Sequence, residues 1–599
     1  MTLEFRDYPN IRTLFQETVT RHPDKAALQW YLDEGGEAQF TWRQFQEQTD
    51  QVAKSLMALG VGKGDKVNII SQTCPRWVIS DLGITSIGAC SVGIYPSNLA
   101  PDCQYIIDHS DGVLVFAEDL RQLTKLLEIR EQIPAVRKVV LFCDDPPPGN
   151  EWVMRFEEFL ELGRAIKDED LRLRMAAVAS DDPAGIIYTS GTTGVPKGVV
   201  LTHDNITFTA QSVLHSGDFD PDDVMFLFLP LAHVFARTCF NGALITGVTT
   251  IFARSLETLG EDLKRARPDW FISVPRIFEK VYAQINHGVE QKGGIAPKLF
   301  RWACQVGRQA SDLKLKGEPL SMGLRLKTAL ADRLVFSKVR DAFGGRLRWC
   351  ISGAAPLNPD LGLFFHACGV LILEGLGMTE NTSFSNVNRP DNYRFGWVGP
   401  AGVGIEHKIA EDGEILFRGR NVMQGYYKMP AETAEVMTAD GWLRSGDVGE
   451  IDAENFLRVT GRKKELIITS GGKNIAPAPL ENLLVATRYI NQAMVIGDKR
   501  NYLTALVTLD PVAIADIAKE NDLDPGDMQQ LIHSPAIREC IDREVAALNQ
   551  HLPSYETIKK VCIVPEFTID NGLLTPTMKL RKASAVERFR DEIEGMYAG

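Results

Sequence analysis

Short runs of β-branched and other apolar residues alternate with longer amphipathic segments over the first 200 residues. The runs 66–71, 112–117 and 139–142 are typical of buried strands. The segment 42–59 places its apolar residues at helical spacing, which predicts a helix. Such alternation is typical of βαβ units, so we predict an α/β fold with mostly parallel sheets.

The pattern changes near Gly461. The stretch 461–477 places a charged turn before a short predicted strand, 466–469, and a pair of glycines after it, and a helix is predicted from Pro479. The remaining residues are numerous enough for a small independent domain. We therefore predict a large N-terminal domain, 1–461, and a small C-terminal α+β domain, 462–599.

The net charge of the chain limits which classes of binding partner we expect. The 599 residues carry 65 Lys+Arg and 78 Asp+Glu, a net charge of −13, so we expect no nucleic-acid partner. The segment 291–348 differs from the acidic remainder of the chain. It contains thirteen basic and four acidic residues, a local charge of +9.

Several features predict a cytoplasmic protein. The ten cysteines are scattered without metal-binding spacing, which is typical of a reducing compartment. The first residues lack the basic start and apolar run of a secretory signal. The longest largely apolar stretch, 224–236, has 13 residues and contains Pro230 and His233, so we expect no membrane-spanning segment.

A candidate phosphate site lies in 184–200, where an apolar run, a loop of glycines and hydroxyl side chains, a lysine and a second apolar run follow one another. Glycines let backbone N–H groups face an anion, hydroxyls donate hydrogen bonds, and a lysine adds a positive charge. The loop is not a Walker A motif, since Lys197 is followed by Gly198 and not by Ser or Thr. A simple turn is the alternative interpretation. The candidate residues are Thr189, Ser190, Gly191, Thr192, Thr193, Gly194 and Lys197.

The eleven residues YTSGTTGVPKG, 188–198, resemble the signature of the adenylate-forming superfamily, which includes the acyl-CoA synthetases. Further motifs follow in the order of that family. LPLAHVFART, 229–238, resembles the segment that lines the carboxylate pocket, which implies that His233 lies beside the route of the acyl chain. ISGAAPL, 351–357, resembles the adenine-contacting turn. The residues that the resemblance then places against the base are Gly353, Ala354 and Ala355.

EGLGMTE, 374–380, resembles the family element that closes over the nucleotide. The resemblance implies that Thr379 binds the α-phosphate and that Glu380 holds Mg²⁺, an ion that prefers carboxylate oxygens. Leu376 stands where the family commonly has an aromatic ring on the adenine, so we expect weaker nucleotide affinity. The remaining nucleotide-contacting residues of this element are Glu374, Gly375 and Gly377.

Three later motifs complete the series. WLRSGD, 442–447, and GRKKE, 461–465, resemble the ribose-binding stations, which implies that Asp447 and Arg462 contact the sugar and that Lys464 is the hinge of a mobile C-terminal domain. LLTPTMKLRK, 573–582, resembles the segment carrying the adenylation lysine. Lys579 fits that position, although Met578 replaces the usual glycine, and Lys582 is the alternative.

The resemblance implies an α/β adenylate-forming domain with a β-subdomain, and an AMP-forming ligase that uses ATP, Mg²⁺ and coenzyme A. The stretch 274–285 and the long insert before 351 resemble the long-chain fatty acyl-CoA synthetases. Three alternatives stay open: a fatty acyl-AMP ligase that loads a carrier protein, a medium-chain acyl-CoA synthetase, and a non-catalytic relative. Chain length, oligomeric state and pathway are left open by the sequence.

The basic segment 291–348 has two interpretations. Its cations are interleaved with large apolar residues, which suits peripheral contact with an anionic membrane surface where fatty acids partition. The alternative is a set of amphipathic helices packed on the body, with the cations in water or paired with acids.

Overall fold

The computed structural model describes residues 5–32, 35–189, 195–470, 473–568, 570–575 and 580–598. Its strands carry the labels β1 to β25 in chain order. They are β1 Ala26–Tyr31, β2 Glu37–Thr41, β3 Lys66–Ile70, β4 Cys90–Ile94, β5 Gly112–Ala117, β6 Lys138–Leu141, β7 Val153–Arg155, β8 Pro183–Thr189, β9 Lys197–Thr202, β10 Val224–Leu227, β11 Thr249–Phe252, β12 Trp270–Ser273, β13 Trp349–Ser352, β14 Leu371–Leu376, β15 Asn386–Val387, β16 Glu406–Ile409, β17 Glu414–Arg418, β18 Gly425–Tyr426, β19 Leu443–Ile451, β20 Leu457–Arg462, β21 Ile467–Ile468, β22 Asn474–Ile475, β23 Ile490–Ile496, β24 Leu503–Leu509 and β25 Ile558–Ile563.

The helices are labelled in the same way. They are α1 Ile11–Arg21, α2 Trp42–Ala58, α3 Pro75–Ser86, α4 Ala100–His109, α5 Leu120–Glu128, α6 Phe156–Leu162, α7 Asp168–Ala176, α8 His203–Ser216, α9 Val234–Thr246, α10 Leu259–Ala266, α11 Pro275–Lys292, α12 Ala296–Leu315, α13 Met322–Ala331, α14 Ser337–Asp341, α15 Pro359–Ala367, α16 Pro430–Val436, α17 Pro477–Val485, α18 Pro511–Glu520, α19 Met528–Ile532, α20 Pro535–Asn549, α21 Lys582–Arg588 and α22 Arg590–Tyr597. Short 3₁₀ turns cover 130–132, 163–165, 379–381 and 463–465, and a π-helical turn covers 332–336. Of the helices in the described ranges, none has both the length and the apolar character to cross a membrane.

Two eight-stranded sheets dominate the topology. One has the order β15-β14-β13-β12-β10-β11-β1-β2 and the other β18-β9-β8-β4-β3-β5-β6-β7. Their interiors are parallel, and antiparallel pairs occur at the edges, such as β8 with β9 and β14 with β15. A four-stranded sheet has the order β16-β17-β19-β20. The predicted α/β class is confirmed.

Packing divides the chain into two compact units. The first comprises Met1–Lys408, Leu416–Ser445 and Ile451–Arg458, and the second comprises Ile409–Ile415, Gly446–Glu450 and Val459–Gly599. In the second unit, β24 pairs antiparallel with β23 and parallel with β25, and helices accompany this sheet. The α+β character predicted for the C-terminal part is therefore observed.

The buried core explains why the apolar runs form strands. Every residue of β4 is buried, and β3 and β5 are nearly so, as expected for parallel strands covered on both faces. Helix α2 begins at a capping box, in which the Thr41 hydroxyl accepts from the Gln44 N–H and the Gln44 side chain accepts from the Thr41 N–H. Predicted strand and helix boundaries in this region agree with the structure to within one residue.

The predicted strand 466–469 is shorter than expected, because only Ile467–Ile468 pair, and they pair with β22. The helix predicted from Pro479 begins earlier, at Pro477, since proline suits the first turn of a helix, where its missing N–H leaves no hydrogen bond unmade.

Candidate functional site

The candidate phosphate loop is flanked by paired strands. Strands β8 and β9 run antiparallel, with Thr189 opposite Lys197. Residues 190–194, which include the candidates Ser190, Gly191, Thr192, Thr193 and Gly194, lie outside the described residues. At Gly198 a Cβ atom would lie 2.8 Å from Ile186 Cγ2, so the side chains on β8 leave little room for a larger residue. The pairing fixes where the chain leaves the sheet, after Thr189, and where it enters the sheet again, at Lys197.

A third strand places an aromatic ring beside Lys197. Strand β18 pairs antiparallel with β9, with Tyr426 opposite Val199. The Lys197 Nζ atom lies 4.9 Å from the centroid of the Tyr426 ring, and the Tyr426 hydroxyl donates to Glu380 Oε1 at 2.7 Å. Burial, and then the charge of Glu380, raise the pKa of Tyr426, so the phenol stays protonated and donates. We name the group Lys197, Tyr426 and Glu380 the phosphate junction.

Glu380 is held on a rigid turn. A Cβ on Gly377 would lie 2.2 Å from the Ser383 carbonyl, so only glycine fits there. The fully buried Asn381 side chain accepts from the Met378 N–H at 2.8 Å, and Thr379 is buried beside it. The backbone carbonyl of Glu380 accepts from the Met423 N–H at 2.8 Å. Thr379 and Glu380 are thus fixed relative to each other and to the loop that leads into β18.

The candidate base-binding turn follows β13. Ala354 and Ala355 are exposed, and Ala354 has a φ of 68°, which presents the backbone of the turn outward. A Cβ on Gly353 would lie 3.1 Å from the Phe235 ring. His233 caps α9, since its Nδ1 accepts from the Phe235 N–H at 3.2 Å. Phe235 therefore joins the predicted carboxylate segment to the predicted adenine turn.

The Glu374 carboxylate holds this turn in place through hydrogen bonds. It lies on β14 opposite Ser352, and its carboxylate accepts from the N–H groups of Gly396, at 2.8 Å, and of Leu357. Burial raises the pKa of Glu374 to about 7, and the two N–H donors oppose that rise. Further along β14, Gly375 and Leu376 pair with Val387 and Asn386. Leu376 is half-buried.

The predicted ribose residues both lie in the second unit. Arg462 Nε lies 3.0 Å from Asp447 Oδ1, and the Asp447 side chain is only 10% exposed. Lys463, in the next turn, pairs with Asp412 at 2.6 Å and with Glu414 at 3.1 Å. The predicted hinge residue Lys464 lies in that 3₁₀ turn, between two residues that form ion pairs.

Of the two candidate adenylation lysines, only Lys582 lies among the described residues. Lys579 lies outside the described residues. Lys582 opens α21, and its Nζ lies 3.1 Å from Glu465 and 3.1 Å from Glu481. Desolvation by burial is the largest influence on Lys582 and alone would lower its pKa, but the two carboxylates together raise it. Lys582 is therefore a partly buried cation that two carboxylates hold in place.

Comparison with known proteins decides the family. The family model described as AMP-binding enzyme matches residues 15–427, and that described as AMP-binding enzyme C-terminal domain matches residues 464–599. The chain belongs to the AMP-binding enzyme family.

Relatives of this AMP-binding enzyme cover nearly the whole chain. It is 36% identical to the long-chain-fatty-acid–CoA ligase FadD15 of Mycobacterium tuberculosis, over 99% of this chain and 97% of that protein. It is 33% identical to the long-chain-fatty-acid–CoA ligase ACSBG2 of Xenopus laevis, over 98% of this chain and 83% of that protein.

Solved structures share the fold of this AMP-binding enzyme. The anthranilate CoA ligase AuaEII, in complex with anthranoyl-AMP, matches with a TM-score of 0.76 and 20% identity, over 98% of this chain and 99% of that one. The A domain of carboxylic acid reductase from Segniliparus rugosus matches with a TM-score of 0.76 and 22% identity, over 98% and 94%.

Sequence reasoning missed two residues of the candidate site. Tyr426 follows Glu380 by 46 positions and has no motif of its own, and only the pairing of β18 with β9 reveals it. Asn381 follows the motif directly, but a single Asn gives no signal of burial. The predicted residues Lys197, Thr379 and Glu380 are brought together within the first unit.

The titration of Glu374 gives a testable prediction. Its pKa in the fold, about 7, lies above its usual value of 4.5, so the folded protein binds this proton more tightly than the unfolded chain does. The stability that protonated Glu374 contributes is therefore lost as the pH rises through about 7. We expect the melting temperature of the wild-type protein to fall from about pH 6 to about pH 8, and Glu374→Gln to lose this part of the fall. Thermal unfolding of both proteins across that range measures the difference.

Because the other titratable groups are the same in both proteins, the comparison isolates Glu374. If Glu374→Gln kept the wild-type pH profile, this carboxyl would not titrate near pH 7 in the fold.

Proposed function

We propose that the protein activates a long-chain fatty acid with ATP to an acyl-adenylate and then transfers the acyl group to coenzyme A. The full-length similarity to long-chain-fatty-acid–CoA ligases carries this proposal. The chain keeps a lysine, a threonine and two carboxylates at the motif positions, namely Lys197, Thr379, Glu380 and Asp447. The non-catalytic alternative is disfavoured for the same reason.

Activation is needed because a carboxylate has no adequate leaving group for attack by a thiol. In the first step, a carboxylate oxygen bonds to the α-phosphorus of ATP, and the bond to the bridging oxygen of pyrophosphate breaks. In the second step, the thiol sulfur bonds to the acyl carbon, the bond to AMP breaks, and the thiol proton passes to solvent. The first step gathers negative charge, so fixed positive partners and hydrogen-bond donors accelerate it.

The phosphate junction supports the role proposed for its members. Lys197 would bind the polyphosphate together with the loop 189–194, and Thr379 would donate to the α-phosphate. The Tyr426 hydroxyl donates to one of the two carboxylate oxygens of Glu380, Oε1. Preorganised groups of this kind need not reorient as charge develops.

Glu380 fits the role of a magnesium ligand. Among the residues described, no group of three or more His, Cys, Asp or Glu side chains could hold a metal ion. Mg²⁺ bound with a nucleotide commonly uses only one or two carboxylates together with the phosphates, so a single half-buried glutamate is sufficient. When bound, the ion would neutralise phosphate charge.

The nucleoside would lie along the turn and strand described above. We propose that the base lies against Gly353–Ala355 and residues 374–377, and that Asp447 and Arg462 contact the ribose. The direct contact between Asp447 and Arg462 supports a shared target. His233 would line the carboxylate pocket beside Phe235.

The C-terminal domain, proposed as 462–599, would carry the adenylation lysine and turn about Lys464. The family match that begins at residue 464 supports this boundary. Lys579 is the proposed adenylation lysine, since Lys582 already satisfies Glu465 and Glu481. After adenylation, rotation would withdraw Lys579 and admit coenzyme A.

We also propose that the protein is cytoplasmic and contacts a membrane peripherally through 291–348. Of the thirteen cations in this segment, Arg308, Arg340, Arg346 and Arg348 form ion pairs. The other nine have no ion-pair partner among the residues that the structure describes. Most of these cations are therefore not held in ion pairs with the described residues.

Product analysis tests the proposed reaction. Pyrophosphate release and loss of free CoA thiol should be measured with octanoate, laurate, palmitate and oleate. We expect palmitate and oleate to give the highest kcat/KM and equal amounts of pyrophosphate and acyl-CoA. Pyrophosphate release without thiol consumption would indicate a ligase for a carrier protein, and a preference for octanoate would indicate a medium-chain enzyme.

Separating the half-reactions tests the proposed lysine. Lys579→Ala should lower acyl-adenylate formation by at least about 100-fold, because it removes a positive partner of the reacting phosphate. Thioester formation from synthetic acyl-adenylate should largely survive. Lys582→Ala is the matched control, and it should lower both half-reactions together with the melting temperature. Equal losses in both half-reactions for Lys579→Ala would contradict the assignment.

A further inference from the structure

Helix α13 exposes a stripe of large apolar side chains. Met322 is 81% exposed, Leu326 69%, Leu330 50% and Leu334 36%. They recur at every fourth position, and Leu334 follows in the π-helical turn 332–336. Since residues four apart lie on one face of a helix, these four form a continuous stripe. We name it the α13 stripe.

The opposite face of α13 accounts for the packing of the helix. Leu324 and Thr328 are half-buried, and Ala331 is fully buried. By helical geometry these residues lie about 140–160° around the helix from Leu326, near the centre of the α13 stripe. The helix therefore packs through small or partly covered side chains while its larger apolar residues face away from the core. A core requirement does not explain the α13 stripe.

Positive charge borders the α13 stripe on both sides. Arg325 and Lys327 project about 100° to either side of its centre, and Arg333 follows in the next turn. None of these three has an ion-pair partner within the described ranges. The only acid between 319 and 340 is Asp332, and it pairs with Arg340 at 2.6 Å. The surface is thus apolar along the middle, cationic at its edges and not neutralised locally.

We propose that the α13 stripe is a shallow insertion surface for an anionic phospholipid leaflet, an inference that rests on the proposed membrane contact of 291–348. The apolar side chains would enter the boundary between headgroups and acyl chains, and the flanking cations would lie at the level of the phosphates. Anionic lipid supplies the complementary charge that Arg325, Lys327 and Arg333 lack.

A second copy of the chain fits this surface less well. In a twofold symmetric contact the same patch faces itself, so the unpaired cations of each copy would lie against those of the other. Like charges brought together across an interface oppose association. An anionic leaflet would both cover the apolar side chains of the stripe and balance the charge of the flanking cations.

Vesicle flotation with the full-length protein tests the inference. The vesicles are phosphatidylcholine alone, or phosphatidylcholine with one third phosphatidylglycerol. We expect binding to the anionic vesicles that weakens as salt is raised. Met322→Ser/Leu326→Ser/Leu330→Ser should reduce the partition coefficient by about tenfold or more, through lost apolar burial. Arg325→Gln/Lys327→Gln should reduce it about tenfold, through lost charge.

Helix α7 supplies the matched control. Leu173 there is 66% exposed and stands between Arg172 and Arg174, but the helix also carries three acidic residues in its first turn. Arg172→Gln/Leu173→Ser/Arg174→Gln should leave vesicle binding unchanged. Acyl-CoA synthesis from octanoate in vesicle-free buffer should be the same in all variants, which confirms folding and tests catalysis separately.

Three results would overturn the inference. The first is vesicle binding that the α13 variants do not reduce, and the second is binding that does not depend on anionic lipid. The third is an oligomer of the wild-type protein that dissociates in the α13 variants. The last would assign the stripe to a second copy. Failure to form acyl-CoA from any acid, with vesicle binding intact, would instead overturn the proposed catalytic function.

Discussion

The antiparallel pairing of β18 with β9 is the constraint on which the candidate site depends. It places the Tyr426 ring over Lys197 and the Tyr426 hydroxyl on Glu380, although these residues are far apart in the chain. A hydrogen bond to a charged group contributes roughly 1.5–3 kcal/mol, and a cation over an aromatic ring contributes about 0.5–2 kcal/mol. The phosphate junction therefore holds a cation and a carboxylate near each other through a neutral side chain between them.

Buried polar contacts keep the surroundings of the junction rigid. The Thr382 hydroxyl donates to the Asn421 carbonyl at 2.7 Å, and the Thr238 hydroxyl of α9 donates to the Thr382 carbonyl at 2.7 Å. Arg237, the neighbour of Thr238, forms a buried ion pair with Asp81 of α3 at 2.6 Å. Breaking such a pair typically costs about 3–5 kcal/mol, so α9 is firmly placed. The helix that His233 caps is thereby tied to the turn that carries Glu380.

The sequence predicted the local elements and the identity of several site residues. Continuous apolar runs marked the strands β3, β5 and β6, because parallel strands are buried on both faces, and the ordered motifs marked Lys197, Thr379 and Glu380. Pairing between distant segments could not be predicted. Neither the two-residue strand β18 nor Tyr426 has a periodic signal, and their positions depend on contacts with β9 more than 200 residues earlier. The exposure of the α13 stripe likewise depends on which face of the helix packs, and composition does not report that.

A double-mutant cycle on Lys197 and Glu380 tests most directly whether the two residues act on one polyphosphate. Lys197→Met, Glu380→Gln and the double variant should be compared in acid-dependent exchange of pyrophosphate into ATP. If both side chains serve the same phosphates, the combined loss should be at least about tenfold smaller than the product of the single losses, a coupling of about 1.4 kcal/mol. Single losses that multiply would contradict the account, because residues that act independently give additive free energies.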